Sequence, residues 1–119
     1  MLSSRGEIKI HEILEKNDVN FKEEYEFPGL KAPSGRALRF DFAVFDDDGN
    51  LEFLIEYQGK QHYQAVSKFG GVRGLYQQQY NDAHKRRFCA IRGIPLVEVP
   101  YTEENLISYD YLYEKAGLA

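Results

Sequence analysis

Residues 39–63 read RFDFAVFDDDGNLEFLIEYQGKQHY, two aromatic-rich runs separated by an acidic, glycine-containing turn. A strand shows alternate residues on opposite faces. Arg39, Asp41 and Ala43 therefore share one face of the first run, and Phe40, Phe42 and Val44 share the other. In the second run Leu54, Glu56 and Gln58 oppose Phe53, Ile55 and Tyr57. The stretch DDDGN, Asp46 to Asn50, supplies the Asp-Gly chemistry of a hairpin loop. With Asp41 opposite Glu56, one apolar face packs inward and the other carries a carboxylate pair, with His62 just beyond the strand end. Such a set suits a hard divalent cation with a base beside it. A slip of one residue would send every side chain to the wrong face, so register decides the site.

Upstream, Ser4-Arg5-Gly6-Glu7 fits a capping box, and Ile10, Ile13 and Leu14 follow at helical spacing. The pattern predicts a helix over Arg5–Lys16, ended by Asn17-Asp18. Phe21, Tyr25 and Phe27 occupy alternate positions of a strand that stops at Pro28-Gly29, and residues 28–36 read as a loop. Downstream of the hairpin, residues 63–74 contain Gly70, Gly71 and Gly74 and read as a mobile loop. Its GGVRG run lacks the Lys-Ser/Thr of a phosphate-binding P-loop. A long helix is expected over Leu75–Arg92, closed by Gly93. Pro95–Val99 reads as a short strand ended by Pro100, and Thr102 as the cap of a last helix with Glu103 and Glu104 in its first turn. The order is helix, three strands, helix, strand, helix: an α/β sandwich around a mixed four-stranded sheet. The helical connection returns the last strand as a crossover.

The 119 residues suffice for one domain with a real core, and 43% apolar with 14% aromatic residues argues against disorder. No apolar run approaches the roughly 18 residues of a membrane span, and no signal-peptide pattern is present. Cys89 is the single cysteine, which excludes an internal disulfide and suits a reducing cytoplasm. The net charge of −4 is unevenly spread. Between Lys60 and Arg92 the chain holds Lys60, Lys68, Arg73, Lys85, Arg86, Arg87 and Arg92 against a single acid, Asp82. Such a stripe serves phosphate contact or is simply a solvated helix face.

Several residues have both a chemical and a bland reading. Asp41, a carboxylate in a Phe-rich strand, needs either a cation or a salt bridge to a neighbour such as Arg39. Glu56 either ligates a metal or pairs with a basic side chain, while Gln58 offers a neutral carbonyl or orients a water. His62 stands where the chain leaves the sheet, the place for a general base. Glu7 closes the capping box and also falls on the helix face of Ile10 and Leu14, toward the sheet. Asp82 and Lys85 form a helical ion pair or face the site, Lys85 stabilising phosphate charge and Asp82 placing water or His62. Tyr76, Tyr80, Ala83 and Ile91 read as packing rather than as a base-stacking row. His11, His62, His84 and Cys89 show no zinc-ligand spacing.

SRGE at 4–7, RFDF at 39–42, IEYQGKQHY at 55–63, QYNDAHKRRFC at 79–89 and PLVEVPY at 95–101 occur in an order that resembles the PD-(D/E)xK nuclease superfamily. The nearest likeness is to its very-short-patch mismatch-repair branch and to phage homing endonucleases with an EDxHD active site. The resemblance implies a restriction-endonuclease-like αβββαβα fold and Mg²⁺- or Mn²⁺-dependent hydrolysis of double-stranded DNA to a 5′-phosphate. It implies Glu7 as the first E, Asp41 as the D, Gln58 at the variable position, His62 as the H and Asp82 as the last D. Glu56-Tyr57-Gln58 falls where the superfamily has its (D/E)xK, with Gln58 in place of lysine. On this reading Asp41, Glu56 and Gln58 hold the metal, and Lys68, Arg73, Lys85 and Arg86 contact the backbone. A homodimer or a further DNA-binding domain supplies specificity, in the bacterial host cytoplasm if the gene is a phage's. The rival readings are a non-catalytic interaction module on the same scaffold, or a mismatch-nicking or restriction enzyme.

Overall fold

The computed structural model describes residues 4–118. Helix α1 spans Arg5–Lys16, as its cap predicts. The Ser4 hydroxyl accepts the Glu7 backbone N–H at 3.2 Å and donates to Glu7 Oε1 at 2.7 Å. Ile10 and Leu14 are fully buried on its inner stripe. Strands β1 (Asn20–Lys31), β2 (Ala37–Phe45), β3 (Leu51–Gln58) and β4 (Leu96–Pro100) form one sheet in the order β1-β2-β3-β4. β1 and β2, and β2 and β3, run antiparallel, whereas β3 and β4 are parallel. Helix α2 (Gly71–Arg92) makes the crossover between them, and α3 (Tyr109–Lys115) ends the described chain. The protein is thus an α/β fold with the αβββαβα order. Among the described residues no helix is long and apolar enough to cross a membrane.

The turn between β2 and β3 forms as its sequence dictates. Asp46 Oδ1 accepts the backbone N–H groups of Asp48 and Asn50 at 2.9 and 2.8 Å, and Gly49 takes φ +87°. The register pairs Phe42 with Ile55 and Ala43 with Leu54, shifts by one residue between Val44 and Phe45, and ends at Phe42, one rung short of Asp41 and Glu56. The Asp41 carboxylate occupies that rung itself, accepting the Tyr57 backbone N–H at 2.7 Å.

The simple alternation of the first strand fails at this point. Phe42 and Val44 pack with Ile10, Leu14, Phe53, Ile55 and Leu112, beneath α1 and α3. Phe40 instead joins Leu38, Ala43, Leu54 and Cys89, beneath α2. The β1 ladder is interrupted at the same level, between the Glu23–Phe42 and Tyr25–Phe40 pairs, where Glu24 takes φ +49°. A local irregularity of this kind re-aims side chains on a strand. Both faces of the sheet are therefore packed, and the carboxylates lie at the margin of the α2 core, not on an open face.

Four other expectations are corrected. β1 does not stop at Pro28 but reaches Lys31 through a register shift after Glu26, with Gly29 at φ +84°. β1 is an edge strand, where the missing proline N–H costs no ladder bond. Residues 63–74 are hydrogen-bonded rather than loose: a 3-10 turn covers Ser67–Phe69, and Gly71 N–H donates to Val66 at 3.0 Å. α2 starts at Gly71, four residues before the expected Leu75, because glycine admits a close approach there; a Cβ on Gly74 would lie 1.8 Å from the Phe69 carbonyl oxygen. At the C-terminal end, Thr102 falls in a 3-10 stretch over Tyr101–Leu106, and Ser108 caps α3 by accepting the Tyr111 N–H at 3.0 Å.

Candidate active site

In the described residues, the polar or charged side chains that are buried are Glu56, Gln58, His62, Asp82 and Lys85. A buried ionisable group costs several kcal/mol unless it is paired, so such groups concentrate where chemistry needs them. All five lie between the C-terminal end of β3 and the inner face of α2. β3 carries Glu56 and Gln58, and the chain then turns through a 3-10 segment, Lys60–His62, that sets His62 against α2. From α2, Asp82 and Lys85 project inward one turn apart.

They pair across elements. His62 Nδ1 is 2.8 Å from Asp82 Oδ2. An ionised carboxylate only accepts, so in the neutral ring Nδ1 carries the proton and Nε2 is the acceptor. Asp82 is held in turn by Gln78, whose Nε2 donates to Oδ1 at 3.1 Å. Lys85 Nζ lies 2.7 Å from Glu56 Oε1 and 5.4 Å from the centre of the Phe40 ring. The helical Asp82–Lys85 pair that sequence spacing allows is not formed.

Asp41 completes the group. Its bland partner, Arg39, turns instead to Glu26 at 2.8 Å and Glu24 at 3.5 Å. Burial pushes the Asp41 carboxyl up to about 6, opposed by the Tyr57 N–H; the negative charge of Glu7 adds to the rise, and Lys85 and His62 counter it. Burial first, then the charge of Asp41, pushes Glu56 up as well, while Lys85 pulls the other way. Glu7 comes near because Gly6 lies under the Tyr57 ring, where a Cβ would meet Cε1 at 2.1 Å. The first turn of α1 thus closes over Tyr57 of β3.

Other assignments change. Gln58 donates from Nε2 to Glu98 and accepts the Tyr63 hydroxyl at 2.6 Å on Oε1. Both ends of its amide are engaged, so it is a poor metal ligand. Lys85, buried against Glu56, is not a surface phosphate contact. Arg86 grips Glu98 with Nε and Nη2, at 2.8 Å from Oε1 and Oε2 respectively. Lys68 and Arg73 remain exposed. Tyr76, Tyr80 and Ile91, expected to pack, are 67%, 59% and 78% exposed. Sequence reasoning missed Gln78, Tyr63 and Glu98. Gln78 could have been found from its spacing of four from Asp82 on one helix, and Glu98 as the one acid between Val97 and Val99.

A pocket of about 280 Å³ opens onto His62, Asp82, Gln58, Tyr63, Gln79 and Arg86. Among the described residues no three His, Cys, Asp or Glu side chains converge as a metal cage. Mg²⁺ does not require one, being held by one or two carboxylates with water and substrate phosphates. Asp41 and Glu56 fit that pattern: both are desolvated carboxylates pushed up by burial, and the charge of Asp41 adds to the rise of Glu56, which a cation relieves.

No family model matches the chain, and no solved structure matches it. It is 41% identical over 90 residues to uncharacterized protein 094L of Frog virus 3, covering 73% of this chain and 56% of that protein. It is 35% identical over 85 residues to uncharacterized protein 307L of Invertebrate iridescent virus 6, covering 69% of this chain and 43% of that protein. The chain therefore spans about half the length of these curated relatives.

Proposed function

We propose that the chain is a metal-dependent DNA endonuclease domain of the PD-(D/E)xK type. The observation that carries this reading is the buried His62–Asp82 dyad set beside the Asp41–Glu56 carboxylates. Asp41 and Glu56 would hold Mg²⁺ or Mn²⁺, which when bound neutralises phosphate charge and lowers the pKa of water. His62 takes the proton of the attacking water on Nε2, and Asp82 fixes that tautomer and stabilises the imidazolium. Water adds to phosphorus as the bond to the 3′ oxygen breaks, leaving a 5′-phosphate and a 3′-hydroxyl. Lys85 supplies the ammonium where the resemblance expects a lysine after Glu56, and Glu7 positions water from the end of α1. Lys68 and Arg73 contact backbone phosphates of duplex DNA, giving affinity without sequence reading.

A cytoplasmic setting, where Cys89 stays a thiol, goes with this reading. So does a dimer or a second DNA-reading domain, since the domain itself carries net charge −4. A second reading, a non-catalytic module on this scaffold, is favoured by the full engagement of Gln58 with Glu98 and Tyr63. Supercoiled plasmid incubated with the protein in Mg²⁺ or in EDTA separates the two. The nuclease reading expects nicking only with metal, lost in Asp41→Ala and His62→Ala. Metal-dependent nicking that persists in Asp41→Ala overturns the mechanism, and no nicking by wild type favours the module.

A further inference from the structure

We propose that the cleft between the residue 32–39 arm and the outer face of α2 seats an unpaired nucleic-acid strand, with bases stacked on Tyr76 and Tyr80. The cleft measures about 890 Å³, with Arg36, Leu38 and Arg39 on one wall and Tyr76, Tyr80 and Asn81 on the other. It lies outside the His62 pocket and shares no lining residue with it.

Three observations point to such an occupant. First, Tyr76 and Tyr80 are four residues apart on one helix face and keep 67% and 59% of their surface in water. Large rings held open on a rigid element are the stacking platform of single-strand binders. Second, the Asn81 Oδ1 atom is buried in this wall without a hydrogen-bond partner. An orphaned acceptor is costly, and the exocyclic amine of a base is a donor of the right chemistry. Third, the charge is one-sided. No carboxylate lines the cleft, and the one acid of α2, Asp82, is turned inward to His62. The outward surface of the helix presents Arg73, Arg87 and Arg92. Arg36 has no carboxylate partner among the described residues, whereas Arg39 is answered by Glu24 and Glu26 at the rim.

The rings also select an unpaired strand. Base faces within a duplex are covered by their neighbours, so a tyrosine on a helix stacks only on a base that has been splayed out. A second copy of the chain fits poorly, because a two-fold contact here would set each helix's arginines against their own equivalents. The cleft is built on the elements that carry the active site: Asn81 precedes Asp82 on α2, and Arg39 lies two residues before Asp41 on β2. What the strand is delivered to rests on the nuclease reading; its binding does not.

The test is fluorescence anisotropy of the whole protein in EDTA with labelled oligo-dA and oligo-dT, and with a blunt duplex of matched length. Wild type should bind the single strands more tightly than the duplex. Tyr76→Ala and Tyr80→Ala should each weaken single-strand binding by about 5- to 150-fold, with Tyr80→Phe close to wild type. Both positions are exposed, so the thermal midpoints should not move. Equal or tighter duplex binding, no single-strand binding, or no effect of either alanine overturns the proposal. So does a concentration-dependent dimer that Tyr80→Ala abolishes. If wild type nicks plasmid but the tyrosines are silent in binding, the cleft fails and the nuclease stands. If the tyrosines hold single strands but no metal supports nicking, the nuclease fails and the cleft stands.

Discussion

Replacing Lys85 by Met isolates the energetics of the buried Glu56. The substitution keeps an unbranched chain of similar length against Phe40 but removes the ammonium 2.7 Å from Glu56 Oε1. Glu56, already pushed up to about 8 with Lys85 in place, then has Asp41 nearby and no counter-charge, and it keeps its proton on folding throughout neutral pH. Its ordinary value is 4.5, so at pH 7 folding must bind a proton across a gap of about 2.5 units. At 1.36 kcal/mol per unit this costs about 3 kcal/mol at pH 7 and less than about 1 kcal/mol at pH 5. The sign follows from linkage: a raised carboxyl stabilises the fold relative to its ionised form below 4.5 and loses that contribution as pH rises. The reference is the double variant Lys85→Met/Glu56→Gln, which has no group to titrate there. Urea unfolding followed by circular dichroism at pH 5, 6, 7 and 8 should show the single variant falling progressively below the double. A gap that stays flat across this range would falsify the placement of Glu56.

Asp41→Asn should abolish metal-dependent nicking yet stabilise the metal-free protein. Burial raises Asp41 from 3.8 to about 6, so its charge opposes folding at neutral pH, and about 1–2 kcal/mol should be regained once the residual exposure of the carboxylate is discounted. Below pH 4 the two proteins should melt together; a variant less stable than wild type at pH 7 contradicts the account. Gly6→Ala should cost about 1–3 kcal/mol, because the new methyl meets the Tyr57 ring, which its hydroxyl bond to Glu104 helps hold in place. Unchanged urea midpoints in Gly6→Ala would show that α1 does not close on β3 as described. His62→Ala should lower single-turnover cutting about 10²- to 10⁴-fold, and Asp82→Asn about 10- to 100-fold, without loss of DNA binding in EDTA. Equal rates in Asp82→Asn and wild type would remove Asp82 from the mechanism.

Much of this molecule is legible along the chain. Ser4 and the spacing of Ile10 and Leu14 delimit α1, because capping and helical periodicity act within one or two turns. DDDGN sets the hairpin, but the register shifts by one residue between Val44 and Phe45, so the level of Asp41 against Glu56 is decided by that irregularity and not by the turn alone. Alternation at Val97 and Val99, after a helix long enough for a crossover, gives the parallel β4.

The partners of the buried charges are not legible in this way. His62 meets Asp82 across 20 residues and Lys85 meets Glu56 across 29, while the local Asp82–Lys85 pair does not form. Helical spacing says which side chains share a face; only the seating of α2 on β3 says which face is turned to the sheet. The same seating leaves Tyr76 and Tyr80 in water, though their residue type reads as core. Continuation of β1 past Pro28 depends on its being an edge strand, and the switch of Phe40 to the α2 side depends on a ladder broken by Glu24. The order and type of the elements are legible along the chain because capping, turn chemistry and periodicity act locally, whereas tertiary structure chose the ion pairs because desolvation and long-range packing act between segments that the chain brings together only on folding.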